Sequence, residues 1–308
     1  MLKNFKSLME LLKAFPNEKS CIKYMEQLRW YGSIRCAHCD NEKVYKFSDE
    51  IRYKCVACKK QFTAKVGTVF EDSKIPLQKW FVAIYLASSR KKGISSIQLG
   101  KEINCTQKTA WFILQRIREG LKDKAPQVLE GTVELDETYI GGKNKNKHYS
   151  RRKKNTQGRS IVDKVPVFGI MQRNGIVRTR KVPNTKRGTI KPIVYQNVEA
   201  GSTIYTDEWF AYRGLGIVYE HSMVDHGKYQ YVNGDCYTNN IECAWSHLKR
   251  TILGTHHWTS KKHLNKYLYE FDFRYNTRSL KDDDRFNKAL LQMDTAKLKY
   301  KDLTAKAA

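Results

Sequence analysis

From Pro76 onward the apolar positions recur with helical spacing. Leu77, Trp80, Phe81, Ile84, Tyr85 and Leu86 predict a helix over PLQKWFVAIYLASSR. A second helix is expected after Ser95, a capping residue, with Ile97, Leu99 and Ile103 as its apolar positions. Asn104-Cys105 breaks it, and Thr106 caps a third helix holding Ala110, Ile113, Leu114 and Ile117. Two helices joined by so short a turn have the form of a helix-turn-helix. Gln107, Lys108 and Thr109 stand near the start of its second helix, where recognition helices meet base edges. A plain helical hairpin gives the same pattern.

Beyond Pro126 the period changes to two. GTVELDETYIGG sets Val133 and Leu135 against Glu134 and Asp136 and predicts a strand ending in a Gly-Gly loop. VPVFGIMQRNGIVRTRKV predicts two strands around the turn Asn174-Gly175. TKRGTIKPIVYQNV is expected to be helical, with Pro192 in its first turns or at a kink. STIYTDEW is read as a strand ending at Asp207, and GIVYEHSMV as a fifth strand. YTNNIECAWSHLKR then opens a helix. Asn239 and Glu242 have the spacing of a capping box there. The helix LNKYLYEFDFRYNTR is expected to pack through Phe271, Phe273 and Tyr275, with Arg274 and Arg278 as its candidate DNA contacts.

Charge changes this picture. The 308 residues carry 57 Lys and Arg against 31 Asp and Glu, a net +26. Residues 1–130 contribute +12 and the remainder +14, so both parts are expected to face a polyanion, nucleic acid first. A protein that is merely basic is the plainer alternative. The chain is long enough for two or three domains. No apolar run of about 18 residues occurs, so no membrane span is expected. The first residues, MLKNFKSLMELLKAF, lack the continuous apolar core of a signal peptide.

Four of the eight cysteines form two CxxC pairs, Cys36/Cys39 and Cys55/Cys58, with 15 residues between Cys39 and Cys55. Each pair presents two thiolates, and together they predict one closed, structural Zn2+ site in a zinc ribbon. VYKFSDEIRYKC between them reads as two short strands.

The acidic residues Asp136, Asp207 and Glu242 are far apart in sequence and converge only if the fold brings them together. Should the strands of Asp136 and Asp207 lie side by side, with the Glu242 helix across them, three carboxylates would meet at one point. Hard oxygen donors suit Mg2+ or Mn2+. Two such ions support phosphoryl transfer by activating the attacking oxygen and stabilising the leaving one. Each residue alone also fits a solvated strand end or a helix cap.

These motifs, in this order, resemble bacterial insertion-sequence transposases of the DDE superfamily, in the group with an N-terminal zinc ribbon. The resemblance rests on FPNEKSCIKYMEQLRW, the paired CxxC, GTVFEDSKIPLQKWF, QKTAWFILQRIR, ELDETYIGGK, YTDEW, NNIECAWSHLKR and YLYEFDFRYNTR. It implies a multidomain α+β protein: zinc ribbon, helix-turn-helix, and an RNase H-like catalytic domain with a mixed five-stranded sheet. The expected boundaries are 1–70, 71–127, 128–280 and a helical tail over 281–308. It implies that Asp136, Asp207 and Glu242 are the catalytic triad holding two Mg2+ or Mn2+ ions. Lys249 is implied as their basic companion, and seven residues from Glu242 it returns to the same helical face. His226 is implied as an auxiliary residue; Tyr237 departs from the His found at that place in many relatives.

The expected activity is binding of element ends, cleavage to a free 3′-hydroxyl and strand transfer into target DNA. A DNA-binding regulator and a nuclease without strand transfer are the alternatives. Expected partners are double-stranded DNA and a second copy of the chain, in the bacterial cytoplasm at the nucleoid. Further DNA contacts are expected from Arg250 and from the basic stretch 143–160, through Lys143, Arg151, Arg152, Lys153 and Lys154. That stretch has eight Lys or Arg and no acid. A solvated loop is its bland reading.

Overall fold

The computed structural model describes residues 2–142, 144–154, 160–294 and 296–305. The chain divides into two compact units, one of residues 1–122 with 279–308 and one of residues 123–278.

The first unit begins with α1 (Leu8–Ala14) and α2 (Glu18–Trp30). Asn17 and Ser20 form a reciprocal capping box at the start of α2. Three short antiparallel strands follow: β1 (Val44–Lys46), β2 (Tyr53–Cys55) and β3 (Gln61–Phe62). Tyr53 stacks on Phe62 at 5.4 Å, and Trp30 lies edge-on to both rings. Then come α3 (Leu77–Ser89), α4 (Ser96–Glu102) and α5 (Gln107–Gly120). The expected caps are in place: Ser95 accepts from the Gln98 amide and Thr106 from the Thr109 amide. Asn104 takes a left-handed φ of 49° between α4 and α5, the conformation that ends a helix at Asn or Gly. The α3 helix buries most of its surface, so its apolar stripe is only part of what it hides.

The second unit is built on β4 (Thr132–Gly141), β5 (Lys164–Gln172), β6 (Val177–Lys181), β7 (Thr203–Thr206) and β8 (Glu220–Met223). Their order in the sheet is β6-β5-β4-β7-β8. β5 runs antiparallel to β4 and β6, whereas β7 and β8 run parallel to β4. The sheet is thus mixed and five-stranded, as expected. One face packs on α6 (Arg187–Asn197) through Val133, Leu135, Phe168, Ile170, Ile190 and Val194. The other packs on α7 (Asn239–Thr251) and α8 (Leu264–Asn276) through Val167, Met171, Ile241, Trp245, Leu248 and Leu268. β5, covered on both faces, is apolar along almost its whole length. Pro192 sits in the second turn of α6, which continues past it.

Two expectations about helices are corrected. Arg274 of α8 does not face outward: it is buried and paired with Glu270 one turn earlier. Asn239 does not cap α7, because the helix begins at Asn239 itself with Thr238 before it. After α8 the chain returns to the first unit as α9 (Asp282–Gln292) and α10 (Tyr300–Thr304). Phe286 of α9 joins Phe5, Phe15 and Phe81 in an aromatic core, with centroids 5.3, 6.1 and 5.4 Å from its own. Among the described residues no helix is long and apolar enough to cross a membrane.

Candidate active site

The strand register decides where the carboxylates meet. β4 and β7 are adjacent and parallel, pairing Glu134 with Tyr205. Two residues further on, the same offset sets Asp136 opposite Asp207, across a strand spacing of about 4.8 Å. Asp136 lies in mid-strand, since β4 runs on to Gly141, where the expected Gly-Gly loop begins. Asp207 follows directly on β7, and its Oδ1 accepts the Trp209 amide at 3.0 Å.

Carboxylate oxygens of Asp136, Glu137 and Asp207 lie within 4.8 Å of one another, close enough to share an oxygen-ligated cation. Glu137 was not among the expected site residues. Neighbours along a strand point to opposite faces, and Glu137 lies on the α6 side, where its Oε1 accepts the fully buried Tyr212 hydroxyl at 2.7 Å. Burial pushes the Asp136 carboxyl up to about 7, and the charges of Asp207 and Glu242 push the same way. A cation between these groups would relieve that repulsion, so the donor set fits a hard divalent ion.

Asp136 also receives a hydrogen bond from α7. Trp245 Nε1 donates to its Oδ2 at 2.8 Å. The indole has room only because Asp136 pairs across the sheet with Gly169. A Cβ on Gly169 would fall 2.4 Å from the Trp245 ring, closer than real contacts allow. Glu242 lies one turn before Trp245 on α7, and its Oε1 accepts the Thr238 hydroxyl at 3.0 Å. It stands outside the tight Asp136–Glu137–Asp207 group but close enough for its charge to act on Asp136.

What fixes the start of α7 is Glu134, two residues before Asp136 and on the same face of β4. Glu134 is wholly buried. Its Oε2 accepts the Ile241 amide at 3.0 Å, and its Oε1 accepts from Asn240 Nδ2 at 2.7 Å and Arg173 Nε at 2.9 Å. It therefore does the capping assigned to Asn239 and Glu242, satisfying an amide that the helix leaves open. The Arg173 guanidinium lies 3.6 Å from the Tyr237 ring centre and 4.5 Å from that of Tyr205. Tyr237, the departure noted in the sequence, thus stacks on the arginine that neutralises Glu134.

The remaining expected residues are more dispersed. Lys249 and Arg250 are exposed on α7. His226 begins a short 3-10 turn, His226–Lys228, and its side chain lies outside the described residues, as does all of Lys143. Arg151, Arg152, Lys153 and Lys154 are exposed. Lys153 lines a cleft with Lys147, Lys261 and the exposed indole of Trp258. In the first unit Gln107 and Lys108 are exposed, while Thr109 is half-buried and shares a hydrogen bond with the Thr106 hydroxyl. Lys108 Nζ also sits over the Tyr300 ring of α10.

The four ribbon cysteines form one cluster. Cys36 and Cys58 Sγ are 3.6 Å apart, as are Cys39 and Cys55 Sγ, and all four lie within 4.8 Å of one another. Thiolates about 2.3 Å from a tetrahedral zinc are separated by just under 4 Å, so the set fits structural Zn2+ and leaves no position for a substrate.

Comparison with known proteins agrees with this arrangement. Residues 16–61 match a transposase zinc-ribbon domain, and residues 128–276 match the ISXO2-like transposase domain. A protein of the transposable element ISH50 from Halobacterium salinarum is 33% identical over 277 residues, covering 85% of this chain and 92% of its own length. A transposase-like protein of Haemophilus influenzae is 30% identical over 117 residues, 38% of this chain and 94% of its own. A crystal structure of the Mos1 strand transfer complex matches 65% of this chain and 70% of its own at 12% identity. Its TM-score is 0.28, too weak a likeness to carry an argument.

Proposed function

Because the chain belongs to the insertion-sequence transposases with an ISXO2-like domain, we propose that it is a DNA transposase that binds the ends of its element, cleaves a phosphodiester to free a 3′-hydroxyl and directs that hydroxyl at target DNA. The observation that carries this reading is the pairing of β4 with β7, which sets Asp136 beside Asp207 under the helix that bears Glu242.

Asp136, Asp207 and Glu242 would hold two Mg2+ or Mn2+ ions. Such ions polarise the attacking and leaving oxygens of an in-line displacement. Everything else comes from positioning. Trp245 fixes one oxygen of Asp136 and so orients its carboxylate. The Asp207 oxygen bound by the Trp209 amide is held likewise. Glu134 anchors α7, and with it Glu242 and, two turns on, Lys249, which would contact a phosphate beside the scissile bond. His226 would assist as an auxiliary group. The zinc ribbon and the α4–α5 pair would read element ends, with Gln107, Lys108 and Thr109 toward the bases. Arg151, Arg152, Lys153, Lys154 and Arg250, with Lys143, would contact backbone. Pairing two ends calls for at least a dimer.

Glu242→Gln is expected to bind end DNA like the wild type and to lose cleavage with Mg2+. Normal cleavage by that variant would overturn the assignment. A pre-cut, labelled end then separates transposase from nuclease: only the former joins its 3′-hydroxyl to a second duplex.

A further inference from the structure

We propose that Arg187, Lys191 and the turn at Gly214 form a binding site for a phosphate of the DNA backbone, on the α6 face of the sheet and apart from the carboxylate cluster. The proposal rests on the reading that the chain acts on DNA.

Lys191 carries the argument. Its stem is packed away, so that the residue is only 8% exposed, and its ammonium is held at the Gly214 turn. Among the described residues no carboxylate pairs with it. Its charged neighbour is Arg187, one turn earlier on α6, and burial and that like charge both pull the Lys191 pKa down. Two cations at i and i+4 repel each other. Within the protein this arrangement is a cost without a return, and an anion between them would reverse its sign.

The space for that anion exists. Gly214 has φ +80°, a conformation that L side chains rarely adopt. A Cβ there would lie 3.2 Å from Lys191 Nζ and 3.4 Å from Arg187 Nη2. The two cationic groups therefore flank one bare, exposed turn, and any other residue would crowd it. The start of α6 adds to the field. Its N-cap, Lys186, makes no side-chain cap; the Thr189 and Ile190 amides turn back to the Lys186 carbonyl, and Gly188, before them in the first turn, has clear space.

The site is tied to the catalytic end of the sheet. Trp209 Nε1 donates to the Thr185 carbonyl at 3.0 Å, joining the approach to α6 to the residues after Asp207. His221, which feels the Lys191 charge, lies 2.9 Å from the Thr206 hydroxyl, next to Asp207 in sequence. A strand with one phosphate at the carboxylates would thus have another held on the far side of β7.

The test uses the full chain, its Lys191→Met variant and a 30-base-pair duplex of arbitrary sequence, with binding measured by fluorescence anisotropy across a KCl series. Losing one phosphate contact is expected to lower the slope of log K against log[salt] by about one, equally for all sequences. The melting temperature of the free variant is expected to stay level or rise, because the repulsion between Lys191 and Arg187 has gone. An unchanged slope, or a weaker slope accompanied by a lower melting temperature, overturns the proposal. Inorganic phosphate serves as the second arm: if it raises the melting temperature of wild type but not of Lys191→Met while the DNA slope is unchanged, the site takes free phosphate and the DNA assignment fails. Cleavage of element ends is scored separately. A wild type that cleaves, with a variant whose slope is unchanged, sinks this site and leaves the transposase reading standing.

Discussion

Asp272 shows what a single buried carboxyl does to this protein. It lies on α8 and accepts the Thr179 amide at 2.9 Å and the Thr179 hydroxyl at 2.8 Å, which holds β6 to the helix. Burial pushes it up to about 8, whereas in an unfolded chain it titrates near 4. Between those values the folded state keeps a proton that the unfolded state has released. Its contribution to stability is therefore full below about pH 4 and falls as the pH rises toward 8. Asp272→Asn keeps the shape without the titration. The difference in melting temperature between pH 5 and pH 8 is expected to shrink in that variant; an equal difference would mean that Asp272 does not drive it. Nothing near Asp272 in the sequence, EFDFRYN, distinguishes it from a surface acid, because its burial comes from β6, which lies more than 90 residues earlier.

At the scale of elements, β4 and α7 make the site together. The alternation in GTVELDETYIGG correctly put Glu134 and Asp136 on one face and Val133 and Leu135 on the other. The polar face, however, is not the solvent face: α7 covers it, and each of its acids has a task there. The caps at Ser95 and Thr106, the cysteine knuckles and the Asn-Gly hairpin were legible because their partners lie within a few residues. The Glu134 cap on α7 was not, since the acceptor comes from 107 residues away, and Asn239 with Glu242 offered a plausible local substitute. Glu134→Gln tests this clamp. It leaves an amide where the site presents only donors and strands the Arg173 charge, so a loss of about 3 to 5 kcal/mol is expected. Calorimetry should show a lowered transition for the second unit with end binding retained. A transition unchanged within about 1 kcal/mol would dismiss the clamp.

For the molecule as a whole, the two units hold different candidate sites. The first holds the zinc ribbon and the α4–α5 pair, the second the carboxylates. The sequence gives the tail after Lys281 the look of an appendage, mixed in charge and without a motif. Its value lies in Phe286, which fills the aromatic core of the first unit, and in Asn287, whose Oδ1 accepts the buried Tyr24 hydroxyl at 2.7 Å. Removing residues 279–308 is therefore expected to disrupt the first unit and end binding, although α3, α4 and α5 remain in the chain. The second unit should keep its own thermal transition. Full end binding by the truncated protein would refute this division.

The same return of the chain sets an order in time. On the ribosome the first unit is begun first and finished last. Its core waits for Phe286 until all of residues 123–278 have been made. A polypeptide still being synthesised has a complete sheet with its acidic residues before it has a complete first unit. A nascent chain would thus hold the carboxylate cluster while the core of the first unit is still open, and that core closes only as α9 emerges.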